Sequence, residues 1–154
     1  MTERNDYMSY LDDFEHSFMQ RTLEILRSYE GHFDATMLIN CLLGLLVVPK
    51  EQFLEAIPLD PLHGLSKWGI RPASIKRIGR KTPKNPNPDT LRGIVYNLRN
   101  SVAHFRLKPN PSPQEVHSFE FTDRDKEGPH FRAVIKLHEM RNFVERLAAH
   151  LEDK

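Results

Sequence analysis

The chain has 154 residues, of which 39% are hydrophobic and 28% charged, and its net charge at pH 7 is +1. This length and composition predict a single globular domain with a real core and exclude a disordered chain. A net charge near zero excludes a protein whose whole surface attracts nucleic acid, so charge must be read locally. The single cysteine, Cys41, excludes an internal disulfide and a multi-cysteine zinc site.

We expect no targeting or membrane segment in this chain. The first twenty residues mix acidic, basic and aromatic side chains and lack the apolar stretch of a secretory signal. The longest apolar run, residues 37–48, contains Asn40 and is far shorter than the ~20 residues of a membrane-spanning helix. The histidines show no paired spacing typical of a metal site. We therefore expect a soluble cytoplasmic protein with no membrane contact, no metal and no cofactor.

Helical periodicity predicts the first element over residues 10–30, with Gly31 as its C-cap. Asp34 is predicted to cap a second helix that Pro49 ends. Because this second helix is apolar almost all round, we expect it at the centre of a bundle. A short helix is predicted at residues 50–56.

Residues 57–88 have a different composition. They hold six of the eleven prolines, which predicts a loop without long regular structure. Between Pro61 and Pro88 there is no acidic residue, but there are seven basic ones: Lys67, Arg71, Lys76, Arg77, Arg80, Lys81 and Lys84. Two interpretations stay open, a solvated surface loop or a phosphate-binding segment with Trp68 available to stack on a base.

Asp89 or Thr90 is predicted to cap a third long helix that ends near Leu107. Its apolar stripe consists of Leu91, Ile94, Val95, Leu98, Val102 and Phe105. Alternating segments at 116–121 and 131–137, with a turn at 122–130, predict an appended β-hairpin. A final helix is predicted over residues 138–151. The fold class expected from these elements is mainly α, a bundle of four to five helices with one hairpin in a single domain.

The third long helix also carries a polar stripe opposite its apolar one. At about 100° of rotation per residue, Gly93, Asn97, Asn100 and His104 share a face, with Tyr96 to one side. Helix faces that only meet water usually carry Glu and Lys, and this face has neither. A polar, uncharged face with a glycine suits contact between two copies. We therefore predict a dimer interface at Gly93, Asn97 and Asn100.

Arg99 and His104 have the chemistry that metal-independent RNA cleavage needs. Histidine can take the proton of a 2′-hydroxyl because histidine side chains titrate near neutrality. Arginine can hold two phosphate oxygens at once and offset the charge that grows on them. Asn100 lies one turn before His104 and can orient the imidazole or bind the phosphate. An arginine followed five or six residues later by a histidine occurs four times in the chain, but only this pair lies in a strongly amphipathic helix.

The run Leu98-Arg99-Asn100-Ser101-Val102-Ala103-His104-Phe105 resembles the signature of the HEPN superfamily, which has arginine, usually a polar residue, and then histidine. Residues 36–49 and the late position of the signature helix are similar to a plasmid- and bacterial-type HEPN family, over about residues 15 to 150. The resemblance implies a helical bundle, commonly a homodimer. It also implies a metal-independent endoribonuclease of toxin–antitoxin, phage-defence or RNA-processing systems. Arg99 and His104 would then be the catalytic pair and Asn100 their polar partner.

One position departs from the pattern of some HEPN toxins. Those toxins have a tyrosine two residues after the histidine, which a nucleotidyltransferase antitoxin modifies, whereas this chain has Arg106. Regulation by that modification is therefore not expected, although an antitoxin or regulatory protein remains a candidate partner. The residues predicted to bind RNA are Tyr96, Arg106, Lys108, Lys76, Arg77, Arg80 and Lys81.

Two alternatives to a ribonuclease stay open. One is a non-catalytic RNA- or nucleotide-binding module that uses the basic loop, which would bind with a steep salt dependence and cleave nothing. The other is an interaction protein whose signature helix only forms a dimer, since the HEPN superfamily includes inactive scaffold members. The intact signature favours the ribonuclease.

Overall fold

The computed structural model describes residues 14–31, 34–47, 52–112 and 115–152. In these ranges five α-helices pack with a four-stranded antiparallel sheet, so the fold is mixed α/β. The prediction of a mainly α bundle with one small hairpin is therefore wrong. The predicted start of the first helix, at residues 10–13, and the predicted stop at Pro49 lie outside the described residues.

The helices follow the apolar periodicity of the sequence closely. They are α1 (Phe14–Ser28), α2 (Asp34–Leu42), α3 (Gln52–Glu55), α4 (Leu91–Ala103) and α5 (Leu137–Glu152). Helix α2 continues into a wider π-helical turn at Leu43–Val47. It contacts both α1 and α5 and buries Met37, Leu38, Ile39, Cys41 and Leu42. The predicted burial of this helix is confirmed for these five residues, whereas Thr36 and Asn40 are exposed. None of the helices described here is long and apolar enough to cross a membrane.

The sheet contains two strands that the sequence pattern did not reveal. The strands are β1 (Ile75–Arg77), β2 (Leu107–Ser112), β3 (Glu115–Asp125) and β4 (Gly128–Lys136), in the spatial order β1-β4-β3-β2. The predicted hairpin is present as β3 and β4, with a much shorter turn at residues 126–127. Strand β1 has only three residues, and β2 contains Pro109 and Pro111. Proline is tolerated in β2 because it is an edge strand.

The segment 57–88 contains ordered short elements. It forms 3-10 turns at Leu62–Trp68 and Pro72–Ser74 before strand β1. Trp68 is only 5% exposed, and its Nε1 donates a hydrogen bond to Asp60 Oδ2 at 3.0 Å. Its ring meets that of His150 edge-on, with 5.3 Å between centroids. The prediction that Trp68 is available to stack on a base is therefore wrong.

A buried carboxylate connects this segment to α5. Glu139 is 1% exposed and accepts hydrogen bonds from Ser74 Oγ at 2.7 Å and from the backbone N–H groups of Arg71 and Lys136 at 2.9 and 3.2 Å. Burial opposes ionisation of this carboxyl. The three hydrogen bonds and the Arg71 guanidinium outweigh burial, so the pKa of Glu139 is held below its usual value.

One face of the sheet packs against the helices. Side chains alternate along a strand, and in β3 the inward positions are Phe119, Phe121 and Asp123, all buried. The intervening Glu120 and Thr122 are partly exposed. Because Asp123 shares the inward side with two phenylalanines, its carboxylate faces α4, which contacts β3.

Candidate active site at the end of helix α4

Helix α4 has a defined start and ends earlier than its apolar stripe suggested. Thr90 caps it, since Thr90 Oγ1 accepts a hydrogen bond from the Gly93 N–H at 3.3 Å. The last helical residue is Ala103, and the N–H of His104 donates to the Asn100 carbonyl at 3.0 Å. The predicted end near Leu107 is wrong, because the chain turns back at Phe105 to enter β2. Phe105 was predicted to face the core, and it is 73% exposed.

Hydrogen bonds fix the turn that carries His104. The N–H of Arg106 donates to the Ser101 carbonyl at 2.7 Å, and Ser101 Oγ donates to the Arg106 carbonyl at 2.8 Å. The same Arg106 carbonyl accepts the Thr122 N–H at 3.0 Å, which connects the turn to β3. Ser101 itself is buried. The two hydrogen bonds between the buried Ser101 and the backbone of Arg106 thus fix the chain before and after residues 104 and 105.

The three predicted catalytic residues lie near the protein surface. Arg99 and Asn100 are half-buried and His104 is exposed. Asn100 Nδ2 donates a hydrogen bond to Asp123 Oδ2 at 3.1 Å. In the described ranges no hydrogen bond or ion pair engages the side chain of Arg99 or of His104. These two side chains are therefore available to a ligand or to another chain.

Asp123 is a buried carboxylate at the centre of this region that sequence reasoning missed. It is 3% exposed and accepts hydrogen bonds from Asn100, from the Arg106 guanidinium at 3.4 Å and from the Arg124 N–H at 2.8 Å. A buried carboxylate is costly unless it is paired and hydrogen-bonded, as it is here. The alternation of β3 could have indicated Asp123, had the strand been predicted to extend beyond Phe121.

His130 connects Asp123 to the basic segment and was also missed. It is buried, and its Nδ1 accepts a hydrogen bond from the Arg80 N–H at 2.7 Å. The neutral ring therefore carries its proton on Nε2, which lies 3.7 Å from Asp123 Oδ2. The Arg80 guanidinium binds Asp125 through two contacts of 2.9 Å, and this bonding lowers the pKa of Asp125 to about 2. Arg80, predicted to bind RNA, thus already has a carboxylate partner within the chain.

Comparison with known proteins identifies the family. The family model described as HEPN pEK499 p136 matches residues 1–154. The chain belongs to this HEPN family. No curated protein and no solved structure matches the chain significantly. The resemblance drawn from residues 98–105 is confirmed, and HEPN membership connects the chain with nuclease or other RNA-related functions.

In this HEPN domain the polar stripe of α4 is divided into a buried part and an accessible part. A Cβ atom at Gly93 would collide with the backbone of Asn87 and Pro88. Asn97 is fully buried, and its amide donates to the Gly93 carbonyl at 3.0 Å. The expectation that the whole stripe points outward is therefore wrong. Gly93 and Asn97 are covered by their own chain and are not available to a second copy, whereas Asn100 remains accessible.

The residues predicted to bind RNA lie in three places on this HEPN domain. Three of them line a groove of about 670 Å³ between residues 80–84 and the β3–β4 turn: Arg80, Lys81 and Tyr96. Arg106 and Lys108 line a smaller groove of about 250 Å³ beside Phe105. Lys76 and Arg77 are exposed on β1. The structure adds Lys84 and Lys126 to the first groove.

Proposed function

We propose that this HEPN domain is a metal-independent endoribonuclease whose active site lies at the end of α4. The observation that carries the proposal is the contrast between fixed backbone and unengaged side chains there. Arg99 and His104 have no partner among the described residues, while the adjoining turn is anchored by Ser101 and Asn100 is held by Asp123. Catalytic groups need a supported position and a free functional end, and this region offers both.

The proposed reaction is attack by a ribose 2′-hydroxyl on the adjoining phosphate. His104 takes the 2′-hydroxyl proton while the bond between O2′ and phosphorus forms. The bond between phosphorus and the 5′-oxygen breaks, and that oxygen leaves after it receives a proton. Arg99 binds the non-bridging oxygens, where negative charge grows. The products are a 2′,3′-cyclic phosphate and a 5′-hydroxyl.

We further propose that two copies complete the site. The leaving oxygen needs a proton donor, and the protonated imidazole of a second His104 can supply that proton. HEPN domains often act as dimers, and the accessible end of the stripe with Asn100 is the part of α4 that a second copy can reach. A role as a cytoplasmic toxin or defence nuclease, controlled by an antitoxin or other regulatory protein, is a proposal that rests on the HEPN resemblance.

The test is RNA cleavage in EDTA by the parent protein, by His104→Ala and by His138→Ala. His138 is an exposed histidine at the start of α5 and serves as the matched control. We expect the parent and His138→Ala to release 2′,3′-cyclic phosphate ends, and His104→Ala to release none. Equal cleavage by all three proteins would indicate a contaminating nuclease. No cleavage by a protein that sedimentation shows to be dimeric would contradict the proposal.

A non-catalytic RNA-binding module is the second candidate. It is supported by the groove around Tyr96, which is lined by the exposed Lys81, Lys84 and Lys126. Binding to phosphates through lysines weakens steeply as salt rises, because bound counterions are released. Salt-sensitive RNA binding without any cyclic phosphate product would favour this candidate.

A further inference from the structure

Phe105 combines an exposed aromatic ring with an unfavourable backbone conformation. Its side chain is 73% exposed, more than any other large hydrophobic residue in the described ranges. Its φ of +54° is the only positive value among the non-glycine residues described. For a bulky residue this left-handed conformation costs about 1–2 kcal/mol relative to the usual regions. Both features oppose stability.

The turn itself does not require a phenylalanine. The chain must reverse here between α4 and β2, and the Phe105 N–H supports the reversal by donating to the Val102 carbonyl at 3.1 Å. Glycine or asparagine would adopt the same conformation at lower cost, and both are common after helix ends. Strained residues that persist are concentrated at functional sites. The ring is therefore best explained by a contact outside this chain.

Charged and polar side chains lie beside the ring together with one apolar residue. Phe105 lines the groove of about 250 Å³ with Arg106, Leu107, Lys108, Glu120 and Thr122, and Leu107 itself is buried. Glu120 is bound by Arg132 Nε at 2.9 Å, and Lys108 has no carboxylate partner among the described side chains. An aromatic face beside an unpaired cation is the arrangement that binds single-stranded nucleic acid, where bases stack and phosphates are neutralised.

A protein partner fits this surface less well. Three other large hydrophobic residues are exposed in the described ranges, and none of them lines the Phe105 groove: Ile25, Leu59 and Ile78. The centre of a protein interface is usually apolar and depleted of charge. One exposed ring, with only the buried Leu107 as an apolar neighbour in the groove, provides too little apolar surface for such a centre.

We infer that Phe105 is a stacking platform for one unpaired base of single-stranded RNA, with Lys108 holding a neighbouring phosphate. Because Phe105 directly follows His104, the stacked base belongs to a nucleotide next to the bond at which His104 acts. That last point rests on the proposed function. The stacking contact itself needs no catalysis.

The test measures binding of a fluorescein-labelled single-stranded hexaribonucleotide, with fluorescence anisotropy as the readout. His104→Ala is the background, so that cleavage does not interfere, and Phe105→Asn and Phe105→Tyr are added to it. We expect Phe105→Asn to weaken binding about 5- to 100-fold and Phe105→Tyr to bind like the background. Asparagine accepts the left-handed conformation, so Phe105→Asn should not lower the melting temperature. Ile25→Asn removes another exposed hydrophobic side chain, on α1, and should leave binding unchanged.

Two comparisons separate stacking from other roles. A duplex of the same sequence offers no unpaired base, so its affinity should not respond to Phe105→Asn. Equal hexamer affinity in the background and in Phe105→Asn would overturn the inference, as would an equal loss for the duplex. A variant that loses only its dimer in sedimentation would assign Phe105 to a second copy instead. If hexamer binding depends on Phe105 but the parent protein never cleaves RNA, the nuclease proposal is refuted and the stacking inference stands.

Discussion

The two ends of α4 carry similar polar residues on one face and use them differently. At the first end, Gly93 and Asn97 are buried beneath residues 79–88 of the same chain. At the second end, Asn100 contacts the buried Asp123 and His104 is exposed. The missing side chain of Gly93 lets the backbone of Asn87 and Pro88 lie directly on the helix. A polar stripe on a helix therefore indicates an unusual face, but not whether its own chain covers that face.

The two ends also differ in which polar groups remain unused. At the buried end the unpaired atom is Asn97 Oδ1, an uncharged carbonyl oxygen enclosed by the protein. At the accessible end a guanidinium and an imidazole, those of Arg99 and His104, remain without partners in the described part of the chain. The first end is therefore interpreted as packing, and the second as the candidate site.

The largest expected effect concerns the accessible end. His104→Ala should reduce the rate of RNA cleavage about 10²- to 10⁴-fold, because it removes the proposed proton acceptor. Its free energy of unfolding should stay within about 0.5 kcal/mol of the parent, since the side chain is exposed and unpaired. Cleavage rates and urea unfolding measure the two quantities. A large loss of stability would show that His104 supports the fold, and the two ends of α4 would then not differ in the way described.

The buried end should show the opposite behaviour. Gly93→Ala should lower the free energy of unfolding by about 3 kcal/mol, because the new methyl group meets backbone atoms that cannot rotate away. Thermal unfolding should show this as a fall in melting temperature of about 6–12 °C. Gly64→Ala is the matched control, since the nearest heavy atom to its added Cβ would be 4.0 Å away, on Pro61. Equal melting temperatures for both variants would mean that residues 79–88 do not pack closely against α4 at Gly93.

Asp123→Asn tests the support beneath the accessible end. Loss of the charge weakens the contact with Arg106. The new amide also has an NH₂ group in place of one carboxylate oxygen, and this group meets the donor of either Asn100 or Arg106, with which it cannot form a hydrogen bond. We expect a loss of about 2 kcal/mol in the free energy of unfolding. Activity should fall further than this loss of folded protein explains, because Asn100 is no longer held. Asp125→Asn, at a partly exposed ion pair, should destabilise less. A folded, fully active Asp123→Asn would contradict a supporting role.

The smallest effect is expected in the pH dependence of stability. Hydrogen bonds hold the pKa of folded Glu139 below its value of 4.5 in an unfolded chain. The stability it contributes is therefore complete above pH 4.5 and is lost as the pH falls through the lower folded value. Glu139→Gln should flatten the decline of stability in this acidic range relative to the parent, measured by urea unfolding from pH 6 downwards. An unchanged slope would show that Glu139 does not contribute to this decline.

The sequence by itself determined the features that depend on local order. Apolar periodicity located α2, α4 and α5, and the alternating segments around Phe121 and Phe131 predicted a hairpin. The sequence narrowed the cap of α4 to Asp89 or Thr90, and the structure shows that it is Thr90. The Arg-Asn-x-x-x-His run identified the HEPN family. These features are encoded within single elements or in two adjacent ones, so no knowledge of distant contacts was needed.

Only the tertiary structure decided the features that depend on pairing between strands and on contacts between elements. Strand β1 is too short, and β2 too rich in proline, to be predicted from the sequence pattern. They form because β1 pairs with the edge of β4 and β2 pairs with the edge of β3. Pairing of β2 with β3 ends α4 early, which exposes Phe105 and places Asn100 beside Asp123. The ring of Trp68 is enclosed by the core in the same way. Neighbours in sequence specify the long helices and the β3–β4 hairpin, whereas the two edge strands, and the cover over each side chain, are set by other elements of the fold.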